Sequence, residues 1–162
     1  MKKIFLIIIF SISLMQCQKK SYECPNKENF FIRHNLKLNI DNSVFNIYES
    51  ISKNDEKRFI VINSDNKCII NKNSLLSIDN VEGYATNFIK KTSKGFYYSF
   101  EYGNKYHYEY ELYFEYTNGI FNLSKIVQKF SDLSNPNSLK SKTINISNKN
   151  FSSFNIYDYL PK

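Results

Sequence analysis

The chain has 162 residues, with 22 lysines and arginines against 15 acids and a formal charge of +7. Its cations are nearly all lysine, Arg33 and Arg58 being the two arginines, and they are interleaved with acids. That argues against a nucleic-acid partner, because base and phosphate contacts favour the bidentate guanidinium.

The chain starts with Lys2 and Lys3, followed by an apolar run over residues 4–15. The run is too short for a membrane span, which takes roughly 18 or more apolar residues, but has the length of a signal-peptide core. Residues 1–16 are therefore read as a signal peptide. Loss of Lys2 and Lys3 leaves 20 basic residues against 15 acidic ones. The run ends Leu14-Met15-Gln16-Cys17, which resembles the lipobox of bacterial lipoproteins. Leu14 matches the third position before the cysteine, and Cys17 the lipidated residue. Met15 and Gln16 depart from the pattern, which prefers a small residue just before the cysteine. The resemblance implies diacylglycerol and palmitate on Cys17 and a membrane anchor of several acyl chains, which holds stably. With Gln18 next, it implies the outer membrane. Cleavage after Ser13 is the alternative and gives a soluble secreted or periplasmic protein.

Residues 17–29 read as the lipidated N-terminus and a tether, and residues 30–162 as a single β-rich domain. With Cys17 acylated, Cys24 and Cys68 are left as a pair, and an oxidising compartment favours a disulfide between them. Two free thiols are the alternative. No metal site or cofactor is expected: Cys-x-x-Cys is absent, there are two histidines, and the four glycines are scattered.

Phe30–Ile40 alternates at Leu36, Leu38 and Ile40, as a strand does. In residues 43–53, Val44, Ile47, Tyr48 and Ile51 fit a helical face better, with residues 41–43 as caps. Residues 58–63 and Lys67–Asn71 form a candidate hairpin around residues 64–66, and residues 83–91 a further strand with its turn at 92–95. Period two is clearest from Phe96 to Tyr116. Asn118-Gly119 signals a type I′ hairpin that sets Phe114 against Leu123 and Tyr116 against Phe121. A three-residue loop over 103–105 sets Tyr102 against Tyr106 and Glu101 against His107. Lys125 breaks the alternation and marks a bulge. Residues 131–141, with Pro136, read as a loop and residues 143–146 as a short strand. The fold class is mainly β, an antiparallel meander with room for one short helix; α+β is the alternative. The runs Gly95–Tyr102, 110–116 and 119–126 resemble the β-meander of small uncharacterised bacterial lipoproteins and secreted proteins, which implies a fold and carries no functional residue.

Two constellations remain. Glu101, His107, Glu109 and Glu111 share the polar face of the central hairpin, a set able to hold a metal or do acid–base work; a solvated face with cross-strand pairs is the competing reading. Tyr97 and Tyr113 lie on the same face as candidates for an exposed aromatic binding patch. Nucleophile motifs are absent, so no catalytic residue is assigned. The expected function is a non-enzymatic envelope lipoprotein that binds a protein partner or ligand, with an immunity or inhibitor role compatible with its size. A small secreted hydrolase using the His107 and glutamate face, or a glycan-binding module using exposed tyrosines, is the alternative.

Overall fold

The computed structural model describes residues 24–65, 67–76 and 83–160. Cys17, the signal segment and Asn66 of the expected turn lie outside the described residues. The fold is two antiparallel sheets. The first holds β1 (Phe30–Ile40), β2 (Ser43–Ser52), β3 (Arg58–Ser64) and β4 (Lys67–Asn71), and the second β5 (Ala85–Lys91), β6 (Gly95–Tyr102), β7 (Tyr106–Thr117), β8 (Ile120–Asp132) and β9 (Lys140–Asn150). In both sheets spatial order follows chain order. Three short 3-10 turns, Pro136–Ser138, Phe151–Ser153 and Ile156–Tyr159, are the helical pieces among the described residues.

Alternation decides which side chains enter the core. Phe96, Tyr98 and Phe100 of β6, Tyr110, Leu112 and Phe114 of β7, and Phe121, Leu123 and Ile126 of β8 all turn inward. They meet Leu38, Phe45, Ile47, Ile60 and Ile62 of the first sheet in one buried cluster. Phe45 joins the sheets directly, its ring centroid 5.1 Å from Tyr116 and 5.0 Å from Phe121. A separate cluster lies on the outer face of the first sheet, where Tyr48, Phe59 and Val61 are covered by Cys24, Phe30, Ile32, Cys68 and Ile70.

That second cluster explains the misleading spacing in residues 43–53. The segment is strand β2, not a helix. It is buried on both faces, Ile47 toward the core and Tyr48 toward the outer cluster, and such a strand loses its clean alternation. The expected caps are a hairpin turn: Asp41 and Asn42 both have positive φ, 48° and 61°, as a type I′ turn requires, and Ile40 pairs with Ser43.

Cys24 and Cys68 stand within disulfide distance, Sγ to Sγ 1.99 Å and Cα to Cα 5.7 Å. Residues 24–29, read as tether, are fastened to the sheet. Phe30 N–H donates to Asn26 O at 3.1 Å, and the Lys53 ammonium donates to Lys27 O and Glu28 O, both at 2.8 Å.

The chain end closes the core. Phe151, Phe154 and Ile156 are buried, a role their sequence pattern did not announce. Asn71, buried on β4, donates from Nδ2 to Phe151 O at 2.5 Å and Phe154 O at 2.8 Å. Gln128 of β8 donates to Tyr159 O at 2.8 Å. The last ten described residues thus bridge one sheet to the other.

Candidate functional site

The expected hairpin at Asn118-Gly119 forms as read. Thr117 pairs with Ile120, Tyr116 with Phe121 and Phe114 with Leu123. The bulge falls at Ser124, one residue before Lys125: Tyr113 pairs with Lys125 and Phe114 with Leu123, leaving Ser124 over. Its hydroxyl donates to Tyr113 O at 3.2 Å.

The β6–β7 hairpin differs from expectation by two residues. Tyr102 pairs with Tyr108, and Glu101 with Glu109. Gly103 takes φ 103° and packs so near Tyr106 that a Cβ there would lie 2.0 Å from its carbonyl oxygen, so the turn requires glycine at this position. A two-residue slip keeps every side chain on its face. His107 instead pairs with Ser131 of β8. Its Nε2 reaches Glu101 Oε2 diagonally, at 3.5 Å.

Pairing across the second sheet arranges its outer face in rows. One row reads Lys90, Tyr97, Tyr113, Lys125 and Asn145, the next Phe88, Ser99, Glu111, Val127 and Thr143. Tyr97 and Tyr113 stack, with centroids 5.0 Å apart and planes 11° from parallel. The Lys125 ammonium lies 4.1 Å from the Tyr113 centroid, and Phe88 meets Tyr97 edge-on at 5.5 Å. Such contacts add roughly 0.5–1.5 kcal/mol each beyond burial for ring pairs, and about 0.5–1 for exposed cation–π pairs.

The carboxylates on this face are engaged with neighbours. Lys129 Nζ bridges Glu109 Oε1 at 3.1 Å and Glu111 Oε1 at 3.0 Å. The Tyr113 hydroxyl donates to Glu111 Oε2 at 2.7 Å. Burial pushes the Glu111 pKa up, but the hydrogen bonds from Tyr113 and Lys129, with the charges of Lys129 and Lys125, outweigh it and hold Glu111 below its ordinary value. Burial, then the bond to Glu111, pushes the Tyr113 hydroxyl up to about 12. Among the described residues no group of three His, Cys, Asp or Glu side chains is placed to hold a metal ion. The face thus brings Glu109, Glu111, Tyr97 and Tyr113 together around Lys129 and Lys125, and leaves Glu101 and His107 as a pair at its end.

A pH dependence follows. The folded Glu111 pKa lies below the unfolded one, so on acidification the unfolded chain takes up the proton first. Stability supplied by this carboxylate is present above its ordinary value of 4.5 and is lost as pH falls below it. Urea unfolding at a series of acidic pH values should show Glu111→Gln losing less stability than the parent over that interval. Parallel profiles would show that Glu111 is not linked to folding.

A second polar cluster has no short-range signal in the sequence. Glu49 of β2 is fully buried. Its Oε1 lies 3.6 Å from Arg58 Nη1, and its Oε2 3.8 Å from His34 Nε2. His34 sits at a bulge between Arg33 and Leu36 with φ 50°. An extra residue in a strand re-aims the side chains beside it, and here it turns the imidazole toward Glu49. Arg58 also lies over Tyr84, Cζ 5.2 Å from the ring centroid, and the Tyr84 and Tyr98 hydroxyls share a hydrogen bond of 2.9 Å. Comparison with protein-family models, curated proteins and solved structures finds no match.

Proposed function

We propose that this chain is a lipid-anchored protein of the bacterial envelope that acts by binding, without catalysis, and presents the outer face of its five-stranded sheet to a protein partner. The observation that carries the reading is the row of Tyr97, Tyr113 and Lys125, half-buried and continuous across three strands. Tyrosines are enriched in interface patches relative to the rest of a protein surface. The groups on this face with acid–base chemistry are tied to one another, Glu109 and Glu111 to Lys129 and His107 to Glu101.

A protein partner is favoured over a glycan by ring orientation. Sugar stacking needs an open ring face. Tyr113 has Tyr97 stacked on it and Lys125 over its ring, and Tyr97 carries both Tyr113 and Phe88. What remains for a partner is ring edges and the charged groups around them.

Anchoring rests on the Cys17 signal, and the proximity of Cys24 and Cys68 fits an oxidising compartment. The placement we favour is the outer membrane. The test uses the full chain in its native envelope. The parent should sediment with membranes and Cys17→Ala should not. A partner cross-linked to the parent should be lost about tenfold from Tyr113→Ala, the size of a moderate hot spot. Equal cross-linking of parent and Tyr113→Ala would remove this face from the proposal, and membrane association of Cys17→Ala would remove the anchor.

A further inference from the structure

The first sheet carries a concave feature distinct from the flat face just described. A cleft of about 430 Å³ opens between Phe31, Arg33, Ile51, Lys53, Glu56 and Arg58. Small-molecule sites are typically roughly 300–1,000 Å³. Strand register builds it: Phe31, Ile51 and Arg58 form one row across β1, β2 and β3, and Arg33, Glu49 and Ile60 form the next. Both arginines of the chain therefore stand on one face, on either side of Ile51.

The lining holds three cations against the single acid Glu56. The Lys53 ammonium is occupied by Lys27 O and Glu28 O. Arg58 leans one side of its guanidinium toward Glu49, with Nη1 to Oε1 at 3.6 Å. Its Nε is buried and has no hydrogen-bond acceptor among the described residues. A buried guanidinium N–H is normally satisfied, and the residue that carries this one lines the cleft together with the second arginine, Arg33. Beside the cations lie Ile51, which is buried, and Phe31, which is 59% exposed. Two wall segments hold non-glycine residues at positive φ, His34 at 50° and Glu56 at 53°, a strain that gathers at ligand clamps.

We propose that this cleft binds a small organic anion, with its oxyanion head on Arg58 and Arg33 and an apolar body of a few carbons against Phe31 and Ile51. The planar guanidinium fork suits a carboxylate or phosphate head. The apolar half gives Phe31 a surface to cover.

The test is a titration of the isotope-labelled full chain, followed by NMR, with three probes: sodium octanoate, 1-octanol and inorganic phosphate. Octanoate should shift the resonances of Phe31, Arg33, Ile51 and Arg58 saturably. Arg33→Gln should weaken octanoate about tenfold, the loss of one charge-assisted contact, and Phe31→Ala should weaken it as well. Arg33 is exposed on an edge strand, so its replacement leaves the fold intact, which unchanged shifts elsewhere will verify. The proposal is overturned if octanoate gives no saturable shift at these residues, or if Arg33→Gln binds it as well as the parent. Octanol binding as tightly as octanoate removes the anionic head, and phosphate binding as tightly removes the apolar body; either result overturns the ligand class.

Discussion

Replacement of Arg58 by methionine should destabilise the protein by about 3–5 kcal/mol, the cost of removing one partner of a buried ion pair. Glu49 is fully buried and Arg58 keeps 15% of its side chain exposed, so little water reaches the carboxylate when the guanidinium is removed. The double variant Arg58→Met with Glu49→Leu should recover most of the loss, since apolar replacements of a buried pair are often neutral or better. Urea unfolding of the two single variants and the double variant gives the cycle. A single-variant loss below about 1 kcal/mol, the range of exposed ion pairs, would show that the carboxylate is solvated.

The second large effect concerns Phe114. Its ring stacks on Phe96 at 5.0 Å and meets Phe151 and Phe154 edge-on at 5.4 Å and 5.5 Å. Phe114→Ala should cost about 3–5 kcal/mol, as burial is lost and a cavity is left. Its neighbour on the opposite face, Tyr113, is half-exposed, and Tyr113→Ala should cost roughly 1 kcal/mol, mainly through lost cross-strand contacts. Because Phe114 supports the chain end, limited proteolysis should cut Phe114→Ala near residues 151–160 faster than the parent. A larger loss for Tyr113→Ala than for Phe114→Ala would mean that the faces of β7 are reversed.

The strands with one wet face are the more legible ones, although β9 (Lys140–Asn150) is longer at both ends than the expected strand over 143–146, and β8 and β9 take up part of the expected loop over 131–141. Phe30–Ile40 and the Asn118-Gly119 hairpin were legible because alternation and turn chemistry point the same way. Residues 43–53 were misread because β2 is covered on both sides, so Ile47 and Tyr48 are both apolar for different neighbours. The β6–β7 register was missed by two residues because alternation is blind to even slips. The flat face was legible in part: Tyr97, Tyr113, Glu109 and Glu111 were named, but Lys125 and Lys129, which tie them together, come from the next strand. The His34, Glu49 and Arg58 cluster left no local trace, since lateral pairing of three strands and a bulge are needed to bring it together.

The order of the strands bears on how the molecule comes into being. Within each sheet, every strand after the first is hydrogen-bonded to the one made just before it, so an emerging chain finds its next partner at once and exposes an unpaired edge only briefly, which limits aggregation during synthesis. Completion is another matter. The tie from Asn71 to Phe151 and Phe154 spans 80 and 83 residues, so the interior between the sheets is sealed only after both sheets have been made. A chain interrupted before Phe151 would present two nearly finished sheets with an open seam, a product that the cell's quality control would meet as exposed phenylalanine.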